Sequence, residues 1–260
     1  MSARPTTPAH SWALVQAWVR FRQRPEFTIA RQLLLSHFRT GWLWGEVLLV
    51  LAVYAVFFDY PGTTGDIVYL SGFAGRVLTG LAALSTAIMV HRAFAARAYL
   101  PLARLSSRGT YVRGVFLAAA FLRLPLYLEL LALYFFQHHT LAANWPVALL
   151  AGSIGLLANC TLVVAIALVL SPPIATRIEL IIFLFWLCLA LTSYTLEGPL
   201  DVVLTPLRWP LLPIIACYDF GQTGTIDGWG VVALVAMAAY VVGLMRLAGS
   251  LLARRDLMLQ

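Results

Sequence analysis

Long apolar runs separated by short polar, arginine-bearing stretches set the pattern of this chain. A lipid-spanning helix needs about 20 predominantly apolar residues. Six runs approach that length: 42–59, 67–91, 114–136, 146–170, 174–196 and 229–251. Two further stretches fit neither a span nor a short turn. In 10–40, Phe27, Ala30, Leu33, Leu34 and Phe38 fall on one broad helical arc, while Gln32, Ser36 and Arg39 fall opposite. That division predicts an amphipathic helix lying in the headgroup layer. In 195–229, Pro199, Pro206, Pro210 and Pro213 break a stretch that is still strongly apolar. Irregular backbone at membrane depth must be buried in protein or line a cavity. Two short re-entrant helices before the sixth span are therefore expected.

Composition agrees. The 260 residues are 61% hydrophobic and 11% charged, with a mean hydropathy of +0.85. Soluble domains run nearer 45–50% apolar and about 25% charged. No internal repeat or low-complexity linker is evident. The expected organisation is a cytoplasmic or interfacial region over 1–40 and one all-α, six-helix transmembrane domain over 41–260. The six N-terminal arginines are not followed by a short apolar core with an AxA-type cleavage site, so no signal peptide is expected. The first span then serves as the insertion signal.

Charge sets the orientation. All 18 basic residues are arginine. If the spans alternate, 15 lie on one side and Arg208 alone on the other, with Arg76 and Arg123 inside spans. The positive-inside rule then places both termini and the 92–113 connection in the cytoplasm. The absence of lysine excludes a Walker-type P-loop, whose lysine binds the nucleotide phosphates. Cys160, Cys188 and Cys217 form neither a CxxC nor an even framework, so neither a zinc site nor a disulfide scaffold is expected.

The connection HRAFAARAYLPLARLSSRGTYVRG (91–114) is far longer than a hairpin turn needs. Pro101 starts a helix better than it continues one. This predicts that span two reaches about Leu100 and that a short helix covers 101–107. Gly109 would stop that helix, and Thr110 would cap span three. Leu102 and Leu105 can face one way, with Arg104 and Arg108 largely another. Such an element could bind a soluble partner, or rest on anionic lipid.

Charges inside spans are expensive and usually mark a pair or a site. Arg123 and Glu129 are six residues apart on one helix and do not face each other. Arg123 is expected to reach Glu46 or Glu179, at the inner ends of their spans, as a structural ion pair, a gate or a snorkelling cation. Arg76 is expected to snorkel outward. Pro125 is a candidate kink.

The amphipathic N-terminal helix, the six spans, the arginine-bearing connection after span two, the re-entrant segment and the RRDL-type tail together resemble the ABC type-2 permease family. These are membrane subunits of many prokaryotic ATP-binding-cassette exporters. The resemblance covers nearly the whole chain and is one of architecture. The RYxxSxLG-like signature that polysaccharide exporters often carry before span one is absent here, which disfavours a polysaccharide cargo.

The resemblance implies a non-catalytic permease subunit in a prokaryotic inner or plasma membrane. It implies no cofactor in this chain, with ATP and magnesium in a partner ATPase. It also implies pairing with a second copy or a homologous permease, and no nucleic-acid partner. The coupling helix would fall on 100–109, with Leu100, Pro101, Leu102, Arg104, Leu105 and Arg108 as coupling residues.

Rival functions are weaker. A rhomboid-like serine protease is suggested by Gly152–Gly155, but no histidine follows His139. A haem subunit would need paired histidines, and His91 lies a membrane away from His138 and His139. His37 and His91 share one side. A substrate-capturing membrane module of an importer and, through His37 and His91, a haem-bearing electron-transfer subunit are the remaining alternatives.

Overall fold

The computed structural model describes residues 24–58, 67–94, 108–137, 145–171, 174, 177–192 and 209–254. The described residues form nine α-helices and one 3-10 turn, with no strand among them: α1 Pro25–Arg39, α2 Trp42–Phe58, α3 Ile67–Ala93, α4 Arg108–Phe121, α5 Arg123–Gln137, α6 Trp145–Val169, α7 Arg177–Thr192, the 3-10 turn Trp209–Leu211, α8 Leu212–Thr223 and α9 Gly228–Arg254.

Four of these units are long and apolar enough to cross a membrane: α3, the α4–α5 pair, α6 and α9. A fifth is reached if α1 and α2 are taken as one bent span. Many large apolar side chains face outward, including Leu48, Val56, Leu128, Phe136, Ile181 and Phe185. A soluble protein rarely exposes so much contiguous apolar surface; lipid removes its cost.

α1 starts at Pro25, whose missing N–H is not needed in a first turn. Glu26 in that turn and Arg39 in the last one complement the helix dipole. Its inward stripe is Phe27, Ala30, Leu33, Leu34 and His37, one side of a 3.6-residue period. Phe38, expected on that stripe, is 46% exposed, and His37 is buried in its place. The axis then turns by 70° into α2. Gly41 makes the turn possible at φ +79°, a conformation costly for any residue with a Cβ.

α6 is the centre of the bundle. Leu162, Val163, Val164, Ala165, Ala167 and Leu168 are all buried, and α3, α8 and α9 pack around them. Small residues set the closest approaches. A Cβ on Gly155 would lie 2.2 Å from the Cys217 carbonyl oxygen, so α6 and α8 touch backbone to backbone. A Cβ on Gly114 would lie 2.6 Å from the Ile29 side chain, which seats α1 directly on α4.

Span three starts differently from expectation and is interrupted beside the candidate kink at Pro125. It begins at Arg108, so Gly109 and Thr110 lie inside a helix and neither stops nor caps one. At this end Arg108 Nη1 donates to the Leu252 carbonyl at 3.0 Å and the Ala253 carbonyl at 3.3 Å, the C-terminal carbonyls of α9. The span is also broken at Leu122, between α4 and α5. Pro125 lacks an N–H and crowds the carbonyl four residues back, which accounts for the break.

The expected helix over 101–107, with Leu100, Pro101, Leu102, Arg104 and Leu105, lies outside the described residues, as do 195–208 of the expected re-entrant segment. From Leu211 onward one face of the chain packs inward. Leu211, Ile214, Cys217, Tyr218 and Phe220 are buried against α3, α6 and α9. Gly224 ends α8 in the left-handed region at φ +66°. The Asp227 carboxylate accepts the Gly230 N–H at 2.7 Å and opens α9.

Candidate functional site

The most unusual chemistry lies where α1, α2, α3 and the α4–α5 break converge. Arg123, the first residue of α5, is only 2% exposed. Glu46, one turn into α2, is 6% exposed, and His37, near the end of α1, is 2% exposed. His37 Nε2 donates to Glu46 Oε1 at 3.2 Å. Glu46 Oε2 faces Arg123 Nη1 across 3.8 Å. That separation is a charge contact, too long for a hydrogen bond. Arg123 Nη2 donates to the Ser85 hydroxyl of α3. Ser85 in turn donates to the Leu81 carbonyl at 2.8 Å. Arg123 Nε reaches the Ala119 carbonyl at 3.3 Å, in the turn that Pro125 disrupts.

The bent geometry builds this site. Turning at Thr40–Gly41 brings His37 back over Glu46, nine residues later. Arg123 directly follows the one-residue interruption at Leu122 and is buried inside the bundle. The cluster holds one full cation and one full anion, with a histidine able to share the anion. Such a set can lock four helices together. It can also report on their separation, because charge contacts weaken as the helices part.

Of the expected charge group, Arg123 and Glu46 meet. Glu179 does not join them: it is exposed in the first turn of α7, where a carboxylate complements the helix N-terminus. His37 and Ser85 were not expected as partners. The signal for His37 was present as a polar residue on the apolar stripe of α1, three residues past Leu34. Nothing in the sequence distinguished Ser85 from other small polar residues of α3.

Arg76 departs from simple outward snorkelling. It is half-buried, its Nε donates to the Tyr218 hydroxyl at 2.7 Å, and its guanidinium lies 5.3 Å from the Tyr218 ring centre. The Tyr218 hydroxyl donates to the Gly72 carbonyl. α8 is thereby bolted to α3. Glu129 is half-buried and is not among the hydrogen-bond partners of Arg123.

A second feature lies at the roots of the 95–107 connection. The Tyr111 hydroxyl donates to the Ala93 carbonyl, and its ring meets Phe94 edge to face at 5.3 Å. With Arg108 holding the end of α9, both roots are tied to each other and to a third helix. Among the described residues no group of three or more histidine, cysteine or acidic side chains could hold a metal. No protein-family model matches the chain, and no curated protein matches it.

Proposed function

We propose that this chain is the transmembrane permease subunit of an ABC transporter, an exporter by its resemblance, acting with a separate ATPase. α2, α3, α4–α5, α6, α7 and α9 are the six crossings, with both termini and the 95–107 connection in the cytoplasm. α1 lies in the inner headgroup layer, and α8 is the return limb of a re-entrant segment on the outer side. The chain itself is catalytically silent and works as one of two permease copies in a prokaryotic inner membrane.

One observation supports this reading above the others: the paired roots of the 95–107 connection. A force applied there can reach α3 through Ala93, α4 through Tyr111 and α9 through Arg108. An ordinary solvated loop has no use for such bracing. Closure of an ATPase dimer would rotate these three ends together. The Pro125 break and the Arg123–Glu46 contact lie on the same span, where the movement can be converted into helix separation.

Leu102→Asp with Leu105→Asp tests the reading. A carboxylate buried unpaired against an ATPase should cost several kcal/mol. The variant should insert normally, lose copurification with the ATPase and lose ATP-driven transport. Wild-type copurification and turnover would leave 95–107 as a lipid-facing loop and defeat the proposal.

A further inference from the structure

At the N-terminal end of α1, α1, α4 and α9 enclose an open groove of about 610 Å³. It starts where α4 and α9 touch, since a Cβ on Gly249 would lie 3.5 Å from the Gly109 Cα. From there α4 and α9 part, and the first turn of α1 closes the third side. The inner walls are apolar, built from Phe27, Phe116, Leu117, Val242 and Met245. Arg24, Arg113 and Arg246 also line it, with Glu26 the one acidic residue among the lining side chains.

Arg113 reaches Glu26 at 3.5 Å, but its Nη1 makes no hydrogen bond to a described residue. Arg246 is exposed and makes neither an ion pair nor a hydrogen bond among the described residues. Among the described residues, Arg113 and Arg246 face the single carboxylate of Glu26, which leaves positive charge over an apolar slot.

Depth decides what fits. Arg246 lies eight residues inside Arg254 on α9. That is about 12 Å of helix from its basic end. Arg113 lies at a matching height on antiparallel α4, because Arg108 is bonded to Leu252. Arg113 and Arg246 therefore lie nearer the basic ends of their helices than Phe116, Leu117 and Val242 do, and their long stems can carry the guanidiniums toward the headgroups while the apolar walls continue inward. A guanidinium binds phosphate in bidentate fashion. Basic pockets between spans on the cytoplasmic side suit anionic headgroups. A second copy facing this groove about a two-fold axis would bring the same positive surplus to both sides.

We propose that the groove between α1, α4 and α9 holds one anionic phospholipid of the inner leaflet. Arg113 and Arg246 take the phosphate, and an acyl chain lies along Phe116, Leu117 and Val242. The lipid thereby fills the wedge between the interfacial helix and the last span. The inference rests on the membrane character of the chain and is independent of the transport reading.

Native mass spectrometry of the detergent-purified full chain provides the test, with phosphatidylglycerol and phosphatidylcholine of identical acyl chains as probes. The tightest-bound lipid should be one phosphatidylglycerol. Each arginine near a headgroup is worth a factor of about five, so R113Q with R246Q should weaken its retention roughly thirty-fold. R113K with R246K, which keeps the charge and loses the bidentate fork, should retain more than the glutamine pair and less than wild type. V242W, which fills the slot without changing charge, should also expel it, so the test stands even if the glutamine pair folds poorly. Equal retention of phosphatidylcholine would overturn the proposal, as would an unchanged R113Q/R246Q chain. Displacement by inorganic phosphate alone would reassign the site to a soluble anion. A lipid-free dimer lost on V242W would reassign it to a second copy.

Discussion

Replacing Arg123 with leucine probes the charge cluster directly. The guanidinium sits 3.8 Å from the Glu46 carboxylate, and both side chains are more than nine-tenths buried. At an effective dielectric constant of about 20, that contact is worth about 4 kcal/mol of Coulomb energy. Arg123→Leu removes it and leaves Glu46 buried with only the His37 hydrogen bond. Breaking a buried pair from one side costs about 3–5 kcal/mol. For a chain of this size each kcal/mol moves Tm by about 2–4 °C, so a fall of roughly 6–20 °C is expected.

The double variant Arg123→Leu with Glu46→Leu should recover much of that loss, because apolar packing can replace a buried pair at little cost. Recovery should be incomplete: His37 Nε2 loses its acceptor, a penalty of about 1–3 kcal/mol. Thermal unfolding of the full chain in detergent, followed by tryptophan fluorescence, gives all three Tm values. An unchanged Tm for Arg123→Leu, or a double variant no better than the single one, would refute a pairing role. A double variant that folds well but no longer supports transport would show that the cluster gates the pathway.

Single contacts carry three other expectations. Gly155→Ala places a Cβ 2.2 Å from the Cys217 carbonyl oxygen, and backbone cannot yield cheaply; it should lower stability by at least about 1–3 kcal/mol, whereas Gly80→Ala, which meets open space, should stay within about 1 kcal/mol of wild type. Tyr111→Phe leaves the Ala93 carbonyl without its hydroxyl donor; a loss of about 1–3 kcal/mol in unfolding is expected, and an unchanged chain would mean that the roots of the 95–107 connection are not tied through this bond. For topology, Thr225→Cys should react with an impermeant thiol reagent applied outside and Ser107→Cys should not; labelling of Ser107→Cys in sealed cells would reverse the assigned orientation.

The helices were legible in the sequence because lipid imposes a length and a uniform apolarity that few other structures share. The run 146–170 corresponds to α6, and 229–251 lies within α9. Helix ends were less legible where a tertiary contact overrides a local signal. Gly109 reads as a stop, yet it lies inside α4, whose first residue, Arg108, is bonded to the end of α9. The break at Leu122 was half visible in Pro125, whose effect on its neighbours depends on packing. For the charge cluster, Arg123 stood out because a lone cation deep in an apolar run demands a partner. Depth alone left Glu46 and Glu179 equivalent; the 70° turn at Gly41 separates them, since it carries His37 and the start of α2 over the α4–α5 break. The groove at Arg113 and Arg246 was invisible in the sequence. Its residues come from three helices distant along the chain, and their arginines look like any others near a membrane face.

ATP hydrolysis by the purified assembly tests the central claim most directly. The full chain, affinity-tagged and isolated from its native membranes under mild detergent, is reconstituted into liposomes and supplied with magnesium and ATP. The account predicts turnover by a copurifying ATPase, abolished when Leu102→Asp and Leu105→Asp are introduced. Stable, well-folded chain that brings down no ATP-hydrolysing partner would contradict it.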